Sequence, residues 1–387
     1  MVKVILSILI VLFSLQSFAQ DKIVPVFVSG KEGHKSYRIP AIIKLPDGSL
    51  LAFAEGRVNN AGDFGDINIV LKKSTDKGKS WSAIQTVVDY DQMQAGNPAP
   101  VVDLHDPAFP GGRIFLFYNT GNNHEGEVRK GNGLREVWYK TSTDGGLTWS
   151  EPVNITVQTH RPRQPQLNPS YNFSDDWRSY ANTPGHAMQF GSGKYKGRIF
   201  VAANHSAGDP LPKAEDYKAH GFFTDDHGRS FRLSQTVSTP GGNESMATEM
   251  SGDKLMMNSR NQQGDIRARI VSISSNGGES WDTTYFDTNL PDPVNQGSIL
   301  TVGKKKGKNI IAFCNAADTR RRDNLTLRIS YNDGIHYSKS IVVDKSKDDK
   351  QRDFTAYSDL VKLSRKKIGV LYEKENYSRI VFKVIKW

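Results

Sequence analysis

Short apolar segments separated by polar turns recur along the chain. INIVLKKS (67–74), ARIVSISS (268–275) and LTLRIS (325–330) are six to eight residues long and rich in β-branched residues. Segments of this kind are typical of β-strands, whereas an amphipathic helix needs an apolar face that repeats over about twelve residues or more. We find no convincing helical face of that length. The pattern therefore predicts an all-β protein.

One turn sequence follows many of these segments. Each copy has a hydroxyl residue, then Asp or Asn two positions later, Gly two positions after that, and an aromatic residue at the end. The Asp or Asn can cap backbone N–H groups and the Gly can adopt a positive φ, so the repeat predicts a tight hairpin turn. The five copies are Ser74–Trp81, Ser142–Trp149, Thr224–Phe231, Ser274–Trp281 and Ser330–Tyr337.

The spacing of the turns indicates how the strands are organised. Successive copies lie roughly fifty to eighty residues apart, which is the length of one four-stranded propeller blade with its loops. No linker or change of composition divides the chain. We therefore predict a single six-bladed β-propeller over residues 20–387, in which the last copy of the turn is missing.

The N-terminal segment predicts export. Residues 1–19 contain one lysine, an apolar run and then small residues, which is the layout of a secretory signal peptide too short to span a bilayer. No later run resembles a membrane segment. Cys314 is the only cysteine, so the secreted or periplasmic protein is expected to fold without an intramolecular disulfide.

Charge and composition narrow the classes of partner. The formal net charge is +10, but the lysine runs at 304–308 and 366–367 lie between strands, without a basic helix or an aromatic platform. This argues against nucleic-acid binding and favours an anionic substrate. The nine histidines show no metal-ligand spacing. Neither a metal nor another cofactor is predicted.

The stretch KSYRIPAII (35–43), placed before the five turns, resembles the exo-α-sialidase (neuraminidase) family. YRIP is a variant of that family's Phe/Tyr-Arg-Ile-Pro signature, and the repeated turn is similar to its Asp box. The resemblance covers nearly all of the chain after the signal peptide. It implies a propeller enzyme that removes terminal sialic acid from the sialylated glycans of glycoproteins, glycolipids or oligosaccharides.

The resemblance also assigns arginines to the substrate carboxylate. The family binds this group with three arginines from different blades, because a planar guanidinium pairs with a carboxylate through two parallel hydrogen bonds. Arg38 in YRIP matches the first, Arg260 in LMMNSRN the second and Arg322 the third. Arg320 and Arg321 precede Arg322 directly, so the register of the third arginine stays open by one or two residues.

Two further residues are implied near these arginines. Glu373 follows the strand segment GVLY, where family members use a glutamate to orient the first arginine. Arg57 in AEGRVNN resembles an arginine close to the carboxylate and the adjacent ring hydroxyl. The segment QAGNPAPVVD (94–103) is similar to one that lines the glycerol or N-acetyl side of the family's pocket.

The family uses a tyrosine nucleophile, because a carboxylate nucleophile would be repelled by the carboxylate of the substrate. Tyr357 in FTAYSDL matches that position, and a phenol with a pKa of about 10 needs a neighbouring base. Glu244 fits the position of the base, whereas Glu249 falls within the following strand. The resemblance therefore implies a retaining reaction through a covalent sialyl-tyrosine.

The general acid/base is expected in the segment NNAGDFGDINIV. Asp63 lies on a glycine-flanked loop, as the family's aspartate does, whereas Asp66 is next to the strand and could cap it. We predict that Asp63 protonates the leaving oxygen and then activates water.

Two other functions remain open at this point. A trans-sialidase or an intramolecular trans-sialidase would pass the sialyl group to an acceptor other than water, and an aromatic side chain opposite Tyr357 would favour it; Trp177 is a candidate. A binding propeller without catalysis would be expected to lack Asp63, Glu244 or Tyr357, and all three are present.

Overall fold

The computed structural model describes residues 23–348 and 353–387, so the predicted signal peptide lies outside the described residues. Strands dominate this part of the chain, which confirms the all-β prediction. The helices are α1 (Glu125–Arg129), α2 (Thr156–Thr159) and a 3-10 turn (Pro212–Ala214). No helix in the described part of the chain is long and apolar enough to cross a bilayer.

Twenty-five strands are described. In chain order they are β1 (Val24–Val28), β2 (Ser36–Lys44), β3 (Leu50–Arg57), β4 (Ile67–Ser74), β5 (Gln85–Val88), β6 (Gln94–Asp103), β7 (Arg113–Gly121), β8 (Arg135–Ser142), β9 (Val153–Asn154), β10 (Trp177–Asn182), β11 (Met188–Gln189), β12 (Ile199–Ala207), β13 (Tyr217–Thr224), β14 (Arg232–Leu233), β15 (Gly242–Glu249), β16 (Leu255–Asn261), β17 (Ala268–Ser274), β18 (Thr283–Pro291), β19 (Gly297–Lys305), β20 (Lys308–Ala316), β21 (Leu325–Ser330), β22 (Tyr337–Asp344), β23 (Thr355–Ser364), β24 (Lys367–Lys374) and β25 (Arg379–Lys386).

The strands form antiparallel sheets arranged as a propeller. Four sheets are separate: β10–β14, β15–β18, β19–β22, and β23–β25 with β1 added at the outer edge. The N-terminal strand β1 pairs with β25, so it completes the last sheet and closes the ring. Pairing with β1 covers the edge of β25, which would otherwise be open to other partners.

The prediction of six separate blades is wrong. The hydrogen bonds between strands define four separate blade sheets and one sheet of eight strands. The larger sheet comprises β2–β5 and β6–β9. One parallel pair, Ile67 with Gln94, joins β4 to β6 and merges the strands of two predicted blades. The spacing of the turns could not reveal this contact, because it involves two strand starts rather than a turn.

The repeated turns have the predicted geometry. In the first copy the Ser74 hydroxyl accepts from Gly78 N at 2.8 Å, and Asp76 Oδ1 accepts from Lys79 N at 2.9 Å and Ser80 N at 3.0 Å. Gly78 has φ +85°, and a Cβ at this position would lie 2.1 Å from the ring of Phe382. The glycine therefore provides both the left-handed backbone and the space for core packing.

The apolar core lies between neighbouring sheets. Cys314 on β20 is fully buried there, in one core cluster with side chains such as Leu327 and Val370. At the centre of the ring, β2 packs against β6 on one side and β23 on the other. The starts of these inner strands consequently face a common space at one end of the propeller.

Three buried histidines form a cluster behind the central space. His205 Nδ1 lies 3.0 Å from His220 Nδ1, the ring of His205 stacks on Trp177 with a centroid distance of 3.6 Å, and His160 lies 4.9 Å from the ring of Tyr180. Burial lowers the pKa of His220 to about 3 and lowers the pKa values of the other two imidazoles well below the usual range.

This cluster predicts loss of stability in acid. Below about pH 6.5 the unfolded imidazoles bind protons that the folded ones cannot, so each can lower the free energy of unfolding by about 1.4 kcal/mol per pH unit. Urea unfolding at pH 7.5 and 5.5 measures the effect. Between these pH values, the free energy of unfolding of His220→Phe is expected to fall by about 1 kcal/mol less than that of wild type. Identical losses would show that His220 does not carry this linkage.

Candidate active site

A cavity of about 320 Å³ opens at the end of the propeller where β2, β15 and β23 begin. Strand starts and strand ends from different sheets meet there, so side chains distant in sequence are neighbours. All seven residues predicted to bind substrate or to act in catalysis line this cavity: Arg38, Arg57, Asp63, Glu244, Arg260, Arg322 and Tyr357.

Arg38 lies in a distorted part of β2. The pairing of β2 with β3 shifts between Arg38 and Ala41, and Ile39 has φ +57°, which is strained for a β-branched residue. Glu373 is fully buried and holds this segment, since it accepts from Arg38 Nε at 2.7 Å and from Ile39 N at 2.9 Å. The distortion directs the Arg38 side chain towards the cavity instead of solvent.

Glu373 also accepts from Tyr357 N at 3.2 Å, so one buried carboxylate positions residues of both β2 and β23. On its other side the Arg38 guanidinium lies over the ring of Tyr377, 3.9 Å from its centroid. Burial alone would lower the pKa of Arg38, but Glu373 raises it, and the net direction is upwards. Arg38 therefore stays cationic and rigidly placed.

Tyr357, Glu244 and Arg260 form a connected group. The Tyr357 hydroxyl donates to Glu244 Oε1 at 2.5 Å, and Arg260 Nη1 donates to Glu244 Oε2 at 2.8 Å and to Tyr357 Oη at 3.0 Å. The three residues come from β23, the start of β15 and the end of β16. This arrangement gives the phenol a proton acceptor and a cation at hydrogen-bond distance.

Tyr357 is 5% exposed. Burial is the main cause that raises the pKa of Tyr357 well above its ordinary value, and the charge of Glu244 adds to the increase. Arg260, Arg322 and Arg38 act in the opposite direction. The phenol is consequently neutral in the free protein, and it can become a nucleophile only as its proton moves to an acceptor.

Arg322 precedes β21 and is half-buried. It donates from Nη1 to Tyr377 Oη at 2.9 Å, and its guanidinium lies 5.7 Å from the centroid of the Tyr357 ring. Arg321 instead lies 3.9 Å from both Asp318 and Asp323, and Arg320 is exposed. Of the three consecutive arginines, Arg322 is the one that lines the cavity.

Arg57 and Asp63 form an ion pair in the cavity lining. Arg57 is 2% exposed, bonds Glu55 Oε2 through Nη2 at 2.8 Å and bonds Asp63 Oδ1 through Nη1 at 2.7 Å. Although desolvation opposes it, the charge of Arg57 lowers the pKa of the Asp63 carboxyl, with smaller effects from Arg38 and Arg322. The Asp63 side chain is 75% exposed at the cavity mouth, where an incoming ligand can reach it.

The two acidic alternatives lie elsewhere. Asp66 is half-buried at the end of the Asp63 loop and does not line the cavity. Desolvation, together with Asp89 and Asp91, raises the pKa of its carboxyl. Glu249 is at the far end of β15, where it accepts from Gly191 N at 2.9 Å and Ser192 Oγ at 2.7 Å.

The sequence did not point to several residues of the cavity wall. Glu55, Glu125 and Arg135 line the cavity, and Glu55 anchors Arg57. Tyr377 does not line the cavity but contacts both Arg38 and Arg322. Glu55 and Tyr377 each lie within a few residues of a predicted site residue, which is the only local signal for them. Arg135 immediately precedes the apolar segment EVWY, much as Arg38 precedes IPAII, and that similarity was a usable signal.

One group in the described part of the chain has metal-ligand chemistry: Asp103, Asp106 and His227. It lies outside the cavity, and each member already has protein partners. His227 Nδ1 lies 2.8 Å from Asp103 Oδ2, and Arg113 donates to Asp106 Oδ2 at 2.9 Å. Arg113 already pairs with the negative charge of Asp106, which a metal ion would need as a ligand. These residues therefore do not fit a resident metal.

The propeller carries a cavity that combines clustered arginines with a tyrosine–glutamate pair, which is a site suited to an anionic ligand. Comparison with known proteins gives the family. A family model described as "BNR repeat-like domain" matches residues 48–370. The chain is 30% identical over 369 residues to an exo-alpha-sialidase of Arthroderma benhamiae, covering 89% of this chain and 79% of the relative. The chain belongs to the exo-α-sialidase family.

A sialidase of Micromonospora viridifaciens is 31% identical over 362 residues, which cover 89% of this chain and 51% of the relative. The chain thus spans about half the length of that protein. Among solved structures, the Hadza microbial sialidase Hz136 superposes with a TM-score of 0.76 at 24% identity, over 92% of this chain and 67% of the other. This likeness supports the sialidase-type propeller fold.

Proposed function

We propose that the chain is a retaining exo-α-sialidase that hydrolyses terminal α-linked sialic acids of glycoproteins, glycolipids and oligosaccharides. The observation that carries the proposal is the hydrogen bond between Tyr357 and Glu244 beside Arg260. It joins the residues predicted to form the nucleophile and its base, and it lies within the arginine-lined cavity. We also propose that residues 20–387 are a single catalytic domain, secreted or periplasmic after removal of residues 1–19.

Arg38, Arg260 and Arg322 bind the carboxylate of the sialic acid. The three guanidinium groups surround Tyr357, with Arg260 in hydrogen-bond contact and Arg38 and Arg322 at 5.4 Å and 5.7 Å from its ring centroid. The anomeric carbon carries that carboxylate, so binding it there brings the reacting carbon next to the phenol. Charge-assisted bonds to a planar guanidinium also fix the orientation of the sugar.

In the first step the oxygen of Tyr357 attacks the anomeric carbon while the glycosidic bond breaks. The phenolic proton passes to Glu244, and Asp63 donates a proton to the departing oxygen, so the aglycone leaves as a neutral alcohol. Arg260 stays within hydrogen-bond distance of both Glu244 and Tyr357 and stabilises the charge that moves between them. The product of this step is a sialyl-tyrosine.

In the second step water attacks the sialyl-tyrosine. Asp63, now ionised, accepts a proton from the water, and Glu244 returns its proton to the phenolate of Tyr357. Two displacements at the same carbon restore the original α configuration. Asp63 therefore has to be protonated when substrate binds. The substrate carboxylate neutralises Arg38 and Arg322, and this removes part of the positive field that lowers the pKa of Asp63.

Trp177, the aromatic residue that would favour transfer to an acceptor, does not lie opposite Tyr357. This residue stacks on His205 inside the protein, is 8% exposed and does not line the cavity. It therefore cannot stack on an acceptor opposite Tyr357. A binding propeller without catalysis is disfavoured because Asp63, Glu244 and Tyr357 all line one cavity.

The test is incubation of the purified protein with an aryl α-sialoside, followed by fluorescence and by proton NMR of the sugar released. We expect release of the aryl group and first appearance of the α anomer of the free sialic acid. Formation of an anhydro sugar or a sialylated acceptor would establish transfer instead. Absence of turnover by folded protein that binds the sialoside would establish a binding propeller.

A further inference from the structure

A second cavity, of about 340 Å³, lies at the other end of the propeller from the active site. Strand β23 connects the two ends, because Tyr357 near its start lines the active site whereas Lys362 near its end lines this second cavity. The five residues of strand from one to the other span roughly 16 Å. We call the second site the distal cavity, and it shares no lining residue with the active site.

The distal cavity is strongly cationic. None of the described residues that line it is acidic, and the segments 300–313, 360–372 and 379–387, which supply most of the lining, contain no Asp or Glu. Its five cations are all exposed, and none has a carboxylate partner within the described part of the chain: Lys304, Lys305, Lys362, Arg365 and Lys366. Because these like charges repel one another, an anion in the cavity would relieve the repulsion.

Two hairpin tips carry most of these cations. Lys306 and Gly307, between β19 and β20, have φ +49° and +79°, the two positive values of a tight two-residue hairpin turn. Arg365 and Lys366 form the turn between β23 and β24, and Trp387 N donates to Lys366 O at 3.1 Å. Short turns and this backbone bond leave the tips little freedom, so the cations are positioned before a ligand arrives.

Two aromatic residues join the neighbouring sheets beside these tips. Tyr331 follows β21 and Trp387 follows β25, and their ring centroids are 6.3 Å apart. Lys305 Nζ lies 4.6 Å from the centroid of Tyr331, and Lys366 Nζ lies 5.3 Å from that of Trp387. Trp387 is 7% exposed and belongs to the core cluster of the two sheets. The lysine side chains therefore rest on rigid rings, which lowers the entropy cost of ordering them around a ligand.

We propose that the distal cavity binds a phosphate monoester. A carboxylate carries one negative charge, whereas a phosphate monoester carries about −1.5 to −2 at pH 7 and has three strong acceptor oxygens. It can therefore engage several of the five cations at once through charge-assisted hydrogen bonds. A small phosphorylated molecule and the headgroup of an acidic phospholipid both carry this group, and the experiment distinguishes these two sources.

The test is calorimetric titration of the purified protein with glycerol 3-phosphate at constant ionic strength, beside sedimentation with phosphatidylcholine vesicles that contain phosphatidic acid. We expect saturable binding of the monoester. Lys305→Gln/Lys366→Gln removes two of the five cations and is expected to weaken this binding by about 10-fold. Both side chains are exposed, and the bond from Trp387 N to Lys366 O uses only the backbone, so the hairpin is retained.

Lys79→Gln/Lys339→Gln is the matched control, because it removes two exposed cations that do not line the distal cavity. It should bind the monoester as wild type does. Both double variants keep the arginines of the active site, so any anion bound there contributes equally to all three proteins. Turnover of an aryl α-sialoside should stay within about twofold of wild type in both.

The two probes identify the source of the phosphate. Binding of glycerol 3-phosphate that Lys305→Gln/Lys366→Gln weakens would establish a site for a soluble ester. Sedimentation with phosphatidic acid vesicles but not with phosphatidylcholine alone, again weakened in this variant, would establish a site for a lipid headgroup. Binding of neither probe, or equal binding by wild type and Lys305→Gln/Lys366→Gln, would overturn the proposal.

Discussion

Replacement of Tyr357 by phenylalanine is expected to lower kcat for an aryl α-sialoside by about 10³-fold or more, because the variant has no oxygen to form the covalent intermediate. The ring remains, so packing against Arg38 and Arg322 is retained. The substrate should still bind through the three arginines. Steady-state kinetics of the purified variant, with binding of the same sialoside measured by calorimetry, separate the two effects.

A matched control is Tyr90→Phe, which removes a hydroxyl that contacts Tyr118 Oη at 3.0 Å away from the cavity. It should keep kcat within about twofold of wild type, since it alters no group that contacts the substrate.

Glu244→Gln should resemble Tyr357→Phe, because the amide cannot take the phenolic proton. Near wild-type kcat in Tyr357→Phe would exclude this residue as the nucleophile.

Replacement of Asp63 by alanine is expected to have an effect that depends on the leaving group. An alkoxide leaves poorly without a proton, so kcat/KM for a sialyl-oligosaccharide should fall by about 10²- to 10⁴-fold. A nitrophenolate leaves without protonation, so the nitrophenyl α-sialoside should lose far less. The measurement is the ratio of the two kcat/KM values in wild type and in the variant.

Asp66→Ala serves as the control, because Asp66 is on the same loop but outside the cavity. Its ratio for the two substrates should match that of wild type. If Asp63→Ala reduced both substrates equally, Asp63 would act in binding or in loop structure rather than as the proton donor.

The sequence was sufficient to predict the all-β class and the local structure of the turns, because both depend on short-range physics. Strand length and β-branched content are read within eight residues, and each Asp or Asn turn is held by its own Ser or Thr hydroxyl and glycine. The number of separate sheets was not predictable in this way. It depends on the Ile67–Gln94 pair, which no local pattern encodes.

The cavity likewise has features that the local sequence predicts and features that only the tertiary structure reveals. The predicted arginines, acids and tyrosine meet in one place, but only the structure shows that Glu373 bonds both Arg38 and the Tyr357 backbone. Arg135 was missed, although it precedes an apolar segment as Arg38 does, because an arginine at the start of a strand is most often solvated. Its place in the cavity wall comes from burial and from pairing of β8 with β7, and pairing between strands is a tertiary property.

The central feature of the proposed mechanism is a covalent bond between Tyr357 and the sugar. The direct measurement is mass spectrometry of the protein after reaction with a sialosyl fluoride that also carries fluorine at C3, which slows hydrolysis of the intermediate. We expect the mass to increase by one fluorosialyl group, located by proteolysis on the peptide that contains Tyr357, and no increase in Tyr357→Phe. An adduct on Glu244 or Asp63, or turnover without any adduct on Tyr357, would contradict the proposed mechanism.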